Sequence, residues 1–267
     1  SGNAEEAKTK ESTYVGSSSC KSCHAQAYDD WLLSDHFLAM QPANDSTVLG
    51  DFNQSSFTAD GVTNTFFKKD GKYFINTQGD DGQQHDYEVL YTFCHFPLQQ
   101  YLIAFPGGRM NTTHVSWASR DKKWFHQYAG QKVHYDDWLH WTGNSQNWNT
   151  MCASCHSTDL QKNYDFKADT YNTTWKEINV SCESCHGPGS DHIEYVNSKQ
   201  FPKGNRIKNS GLWYGRDTVP QLQLNTCAAC HARKSDVAPD LLRSDEIMDD
   251  LIPQVIQNEM YFADGQI

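Results

Sequence analysis

Long apolar runs are missing from this sequence of 267 residues, and positive charge is scarce. No stretch reaches the roughly 20 apolar residues that a membrane-spanning helix needs. Lysine and arginine total 22 against 33 aspartates and glutamates, which gives a formal net charge of -11. This charge argues against binding to nucleic acid or to anionic lipid. The sequence therefore predicts no membrane span, and it favours partners with a basic docking face or a cationic acceptor.

A five-residue pattern, Cys-x-x-Cys-His, occurs four times in the chain, at residues 20–24, 152–156, 182–186 and 227–231. A random arrangement of the nine cysteines and twelve histidines would give about 0.01 such patterns, so four are not accidental. The pattern is the attachment signal of c-type haem. Two thiols add to the vinyl groups of one porphyrin, and the adjoining imidazole ligates the iron.

The four motifs predict four covalently bound c-type haems. The attachment residues would be Cys20, Cys23, Cys152, Cys155, Cys182, Cys185, Cys227 and Cys230, and the proximal ligands would be His24, His156, His186 and His231.

Other readings of the cysteine pairs explain less. Paired Cys-x-x-Cys groups can form zinc sites or thioredoxin-like redox pairs, but neither explains a histidine after every second cysteine. Disulfides also fit poorly, because the number of cysteines is odd and cysteines three apart rarely bond to each other.

Covalent haem also bears on folding and location. Much of the core is expected to be cofactor, so the sequence predicts a folded holo-protein and a largely disordered apo-chain. Because haem is attached outside the cytoplasmic membrane, we expect an exported protein, periplasmic or extracellular, whose signal peptide has been removed.

Changes in composition and in motif spacing along the sequence predict four regions. Residues 1–49 form an N-terminal tail and the first haem segment, 50–135 a β-rich insertion, 136–240 a segment with haems 2 to 4, and 241–267 a C-terminal helical tail. Within the insertion, residues 63–68, 72–77 and 87–93 read as strands of a meander separated by turn signals such as Asp60-Gly61 and Asp70-Gly71. The predicted fold class is a mixed, mostly irregular and helical haem-packed structure with a small inserted antiparallel sheet.

Eight histidines remain as candidates for the distal face of each iron. Helix or turn context and neighbouring aromatic residues favour His36, His140 and His192. His192 lies six residues beyond His186, at most about 20 Å of extended chain, so we expect it to ligate a neighbouring haem. The fourth distal ligand is one of His126, His95, His114 and His134.

The chain resembles the multihaem c-type cytochromes related to cytochrome c-554, especially the larger bacterial members that carry tetratricopeptide repeats. The similar stretches are residues 14–16, 34–36 with 39–40, 97–102, 106–109, 124–126, 139–143 with 147–149, and 180–192. The resemblance implies electron transfer among closely packed haems, and it implies that His36, His140 and His192 are axial ligands. The sequence departs from the family at Cys94-His95, where relatives have glycine and then a residue that is not a ligand.

Two classes of function follow. If every iron has two histidine ligands, the protein only passes electrons, to other redox proteins or to extracellular acceptors, and these features suit a subunit of a self-associating extracellular haem filament. The alternative is a multihaem oxidoreductase with one open iron that acts on a small nitrogen or sulfur oxyanion. Because all four motifs are regular, the sequence favours the electron carrier over the enzyme.

Overall fold

The computed structural model describes residues 11–198, 211–213, 220–237 and 251–254. The chain divides into two compact units. Residues 24–181 form the first, here called the sheet unit. Residues 1–23 and 182–267 form the second, here called the terminal unit.

A nine-stranded antiparallel sheet dominates the sheet unit. Its main path runs β2-β3-β4-β5-β6-β8-β9, while β1 pairs with β5 and β7 pairs with β6. The strands are β1 (Met40–Pro42), β2 (Ser55–Ala59), β3 (Val62–Lys69), β4 (Lys72–Gln78), β5 (Gln84–Phe93), β6 (Leu98–Ala104), β7 (Met110–Thr112), β8 (Val115–Ala118) and β9 (Lys123–His126).

The predicted hairpins are confirmed by the first strands of this sheet. Asp60 and Gly61 between β2 and β3 both have positive φ, as do Asp70 and Gly71 between β3 and β4. Such Asp-Gly turns match the twist of antiparallel strands. Along β4 the side chains alternate between buried and partly buried, so that Tyr73 faces the core.

An aromatic core fills one face of the sheet. Its centre is Phe52, whose ring packs edge-on against Phe66, Tyr73, Tyr101 and Trp124 at centroid distances of 5.1–5.7 Å. This aromatic core is the cluster Phe52, Phe66, Tyr73, Ile75, Val89, Tyr101, Ile103, Val115, Trp117, Trp124 and Trp141. It contains no residue of a Cys-x-x-Cys-His motif.

A second, smaller core lies where the second motif joins the sheet. It contains Met40, Phe93, Leu102, Met110, Trp148 and Ala153, with Cys94 and Cys152 packed against it. The short helices and strands of the sheet unit outside the main sheet are α1 (Ala25–Leu32), α2 (Asp35–Leu38), α3 (Trp148–Met151), α4 (Ala153–His156), β10 (Tyr164–Asp165) and β11 (Thr170–Tyr171).

In the terminal unit, helices carry the third and fourth motifs. They are α5 (Cys182–His186), α6 (Ser190–Asn197) and α7 (Pro220–His231), followed by the paired strands β12 (Lys234–Asp236) and β13 (Leu251–Pro253).

The predicted fold class is wrong. Strands hold 31% of the structure against 25% in helices, and the large sheet is nearly closed rather than a small insertion. The reason is physical. The motif helices α4 and α5 are only four and five residues long, whereas strands from β1 to β9 collect residues from well before and after the predicted meander into one sheet.

Ser34 separates the first two helices. Its side chain accepts a hydrogen bond from the N–H of Phe37 and caps the short helix α2. In the predicted helical tail, Leu251–Pro253 is strand β13, while residues 241–250 and 255–267 lie outside the described residues. Within the described part of the chain, no helix is both long and apolar enough to cross a bilayer.

Candidate haem-binding sites

The four motifs share a local design, a turn or short helix that ends at the histidine. Cys23 closes a turn by donating its N–H to the carbonyl of Cys20 at 3.2 Å. The other three histidines, His156, His186 and His231, are the last residues of α4, α5 and α7. This geometry keeps both thiols and the imidazole within one or two turns of backbone, as attachment to a single porphyrin requires.

The donor atoms fit covalent haem. None of the nine cysteines, all of which are described, forms a disulfide. His24, His186 and His231 are exposed on the surface of the polypeptide. Among the described residues there is also no cluster of three or more His, Cys, Asp or Glu side chains arranged to hold a bare metal ion.

The second motif is attached to the sheet through buried asparagines. Asn149 is fully buried, and its side-chain oxygen accepts from the N–H of Met110 in β7 at 2.8 Å. Its side-chain nitrogen donates to the Gly108 carbonyl and to Thr173 Oγ1. These bonds hold α3, and with it α4, against the end of β7. Sequence reasoning had noted this stretch only as part of the family resemblance.

Aromatic packing restricts the histidine ring of the second motif. The ring of Phe93 lies 4.4 Å from that of His156, centroid to centroid. Burial raises the pKa of the Cys152 thiol to about 12 and that of the nearby Cys94 thiol to about 11. Cys94 has a φ of +63°, a conformation that glycine adopts without cost. The cysteine here packs against the smaller core beside the second motif.

The third motif contains a buried carboxylate that the sequence did not single out. Glu183 is 2% exposed and accepts hydrogen bonds from the N–H groups of Val15, Gly16 and Gly189 at 2.7–2.8 Å. No sequence signal distinguishes this glutamate from a solvated residue, because position two of the motif is chemically unrestricted.

The predicted distal ligands lie in different surroundings. His36 is exposed on α2, and its carbonyl accepts from the N–H of Val180 at 3.2 Å. His192 is half-buried in the first turn of α6. His140 is buried, with Nδ1 2.7 Å from Thr142 Oγ1.

One cavity brings His140 together with three of the four remaining candidates. It has a volume of about 370 Å³, and its walls include His114, His126, His134 and His140. Burial lowers the pKa of His114 to about 4 and also lowers the pKa of His126 and His140. These three imidazoles are therefore neutral near pH 7, the form that ligates iron.

The four candidates for the last distal position differ in exposure. His114 is 7% exposed, and its Nε2 has no hydrogen-bond partner among the residues that the structure describes. His134 is exposed, with Nδ1 bonded to Asp136. His95 is not among the residues that line the cavity. It follows Cys94, and its carbonyl accepts from Ser119 Oγ.

Comparison with known proteins agrees with this chemistry. Residues 19–64 and 111–187 match the family described as cytochrome c554 and c-prime. Those ranges contain the first three motifs. The fold is similar to that of a solved structure, the outer cell wall cytochrome OcwA, with a TM-score of 0.52 and 18% identity. The match covers 95% of this chain and 42% of that one, so the chain spans about two fifths of OcwA's length. A search of curated proteins found no match.

The motifs, the fold and the family match define a multihaem c-type cytochrome, a protein with covalently bound haem. Within that class, the chain is related to the cytochrome c554 and c-prime family, as the resemblance in its sequence predicted.

Proposed function

We propose that the chain carries four haems, one at each Cys-x-x-Cys-His motif, and passes electrons among them. The observation that carries this proposal is the repetition of one regular motif on four turns or short helices, with none of the eight thiols in a disulfide. The haems are held by Cys20, Cys23, Cys152, Cys155, Cys182, Cys185, Cys227 and Cys230, and the proximal ligands are His24, His156, His186 and His231.

The distal ligands we propose are His36, His140 and His192, with the fourth supplied by one of His126, His95, His114 and His134. Haem supplies one-electron chemistry when it is bound. Two imidazoles on each iron leave no position for a substrate, which restricts the protein to electron transfer.

The chain's own residues set the state of the proposed ligands. For His140 to offer Nε2 to iron, Nδ1 must carry the ring proton and donate a hydrogen bond to Thr142 Oγ1, which is 2.7 Å away. The longer bond that Nδ1 accepts from the backbone N–H of Thr142, at 3.4 Å, would then be lost. Such a bond fixes the tautomer and the ring orientation and makes the ligand more basic. The ring of His156 is restricted differently, by packing against the ring of Phe93.

We further propose that the protein is exported and acts in the periplasm or outside the cell. Covalent attachment of haem outside the cytoplasmic membrane supports this location, and OcwA, the protein of similar fold, is described as an outer cell wall cytochrome. The net charge of -11 suits a redox partner with a basic face.

Self-association into a filament is the finer form of the proposal. Large apolar side chains are exposed on the described residues, among them Leu33 at 84%, Phe166 at 89% and Trp138 at 60%. Head-to-tail contacts through such side chains would produce an open assembly. Electron microscopy of the native protein tests this: filaments support it, and dispersed single particles at high concentration contradict it.

Low-temperature EPR of the oxidised holo-protein tests the electron-carrier proposal. We expect only low-spin ferric signals of the kind given by two histidine ligands. A high-spin ferric component that changes on addition of nitrite or sulfite would contradict the proposal and favour the oxidoreductase with an open iron.

A further inference from the structure

Glu183 is a buried carboxylate that electron transfer itself does not require. It occupies the second position of the third motif, where the other motifs have Lys21, Ala153 and Ala228. Haem attachment therefore does not depend on a carboxylate at this position. A buried charge is costly unless it is hydrogen-bonded, so its retention inside the terminal unit calls for a physical explanation.

The carboxylate joins two separate segments to α5. Oε1 accepts from the N–H groups of Val15 and Gly189, both at 2.8 Å, and Oε2 accepts from the N–H of Gly16 at 2.7 Å. Hydrogen bonds from backbone N–H groups to a carboxylate are about twice as strong as those between neutral groups. Residues 12–16, here called the strap, are therefore bound directly to the helix of the third motif.

A continuous series of hydrogen bonds runs from the strap to the cysteines of the first motif. The Gly16 carbonyl accepts from Ser19, the Ser17 carbonyl accepts from Cys20 at 2.9 Å, and the Cys20 carbonyl accepts from Cys23. Gly16 has a φ of +88°, which glycine alone adopts readily, so the chain can turn from the strap into this series. The hydrogen bonds thus extend from Glu183, through the strap, to the backbone of both cysteines of the first motif.

The strap also holds the helix that carries His192. The Thr13 carbonyl accepts from the N–H of Ser190 at 3.2 Å, and the Thr13 N–H donates to Ser190 Oγ at 2.9 Å. Ser12 Oγ donates to the carboxylate of Asp191. The strap thus contacts α5 through Glu183 and the first turn of α6 through residues 190 and 191.

We propose that Glu183 is a positioning residue, which fixes the two thiols of the first haem relative to the third haem. This inference rests on the proposed attachment of haems at the first and third motifs. Its consequence is a fixed separation between those two haems, on which their mutual electrostatic interaction depends.

The test uses the holo-protein and three variants. Glu183→Gln keeps the shape of the side chain but turns one acceptor into an amide group that faces a backbone N–H. Glu183→Asp keeps the charge on a shorter side chain. Glu194→Gln removes a carboxylate charge at an exposed position of α6 in the same unit and is the matched control.

Three measurements are made on each protein: intact mass, hydrogen exchange followed by mass spectrometry, and a spectroelectrochemical titration of the haems. In Glu183→Gln we expect four haems and exchange at least about tenfold faster in residues 12–20. We also expect a narrower spread of midpoint potentials, because two haems that move apart interact less. Glu183→Asp should restore part of both effects, and Glu194→Gln should match the wild type.

Two results would overturn the inference. One is a Glu183→Gln protein with the exchange and titration curve of the wild type. The other is faster exchange throughout the terminal unit, including α6, which would mean that Glu183 stabilises the unit generally. If Glu183→Gln is not obtained with four haems, Glu183→Asp decides by the same criteria. A wild-type mass without four haems would instead contradict the proposed function.

Discussion

Gly187, the residue that follows the third motif, combines a left-handed backbone with close packing. Its φ is +78°, and a Cβ at this position would lie 2.4 Å from Cδ2 of Trp213. The backbone N–H of Trp213 donates to the carbonyl of His186 at 2.9 Å. This bond holds Trp213 beside the glycine. Any side chain here would displace Trp213 from the end of the motif.

We predict that Gly187→Ala destabilises the holo-protein by about 1–3 kcal/mol or more, the usual cost of backbone strain with a steric clash added. Gly71→Ala is the matched control, because its φ is +75° and an added Cβ would meet nothing within 4 Å. Urea unfolding followed by circular dichroism measures both. Equal losses of unfolding free energy in the two variants would contradict the packing role assigned to Gly187.

The hydroxyl of Thr142 gives a second test at this scale. Thr142→Val keeps the shape of the side chain and removes the hydroxyl partner of His140 Nδ1, leaving only the longer bond from the backbone N–H of residue 142. If His140 ligates iron, its imidazole in this variant is less basic and gives less electron density to the metal. The midpoint potential of one haem therefore rises. Thr142→Ser keeps the hydroxyl and should leave the titration curve unchanged. A curve unchanged in both variants would mean that Thr142 does not tune a haem ligand.

The residues that sequence could identify are those whose chemistry needs a fixed spacing. The motif cysteines and histidines meet that condition. Glu183 does not, because its partners Val15 and Gly16 are brought near only by folding. A glutamate with three backbone donors and a glutamate in water look alike in a sequence.

At the scale of elements, an aromatic stack joins distant parts of the sheet. The rings of Phe66 in β3 and Trp124 in β9 lie parallel at a centroid distance of 3.5 Å. Trp124 Nε1 also donates to Ser55 Oγ in β2 at 3.0 Å. These contacts bring β9 near β2 and β3, so that the sheet is nearly closed.

We expect Trp124→Ala to lower the unfolding free energy by about 3–5 kcal/mol, as truncation of a buried tryptophan usually does. Phe166→Ala removes a ring that is 89% exposed beside β10 and should change stability by less than about 0.5 kcal/mol. Denaturant titration of both variants gives the comparison. A Trp124→Ala protein as stable as Phe166→Ala would contradict the role of the stack.

Hairpins were predictable because their signals are local. The Asp-Gly turns and the alternating side chains of β4 stand within a few residues of each other. The pairing of β1 with β5 and the approach of β9 to β2 join residues about 50 to 70 positions apart, and no local pattern specifies them. The fold class was wrong for this reason, although individual strands were correctly identified.

At the scale of the whole molecule, the sheet has a core of its own. The aromatic core of the sheet unit contains no motif residue, whereas the smaller core includes Ala153 of the second motif and Cys152 packs against it. The sequence predicted a largely disordered apo-chain. The aromatic core leads us instead to expect that the sheet folds without haem.

A variant with serine at all eight motif cysteines tests this expectation. We predict that far-ultraviolet circular dichroism retains the signal of the sheet and that a cooperative thermal transition remains. Hydrogen exchange should show protection confined to residues 40–126. Complete loss of both the signal and the transition would mean that haem is needed for the whole fold.

Intact mass spectrometry together with a pyridine haemochrome spectrum measures whether four haems are covalently bound to one chain. We expect a polypeptide mass raised by four haem increments and the haemochrome spectrum of thioether-linked haem. Fewer than four haem increments, or haem that acid extraction removes from the polypeptide, would contradict covalent attachment at all four motifs.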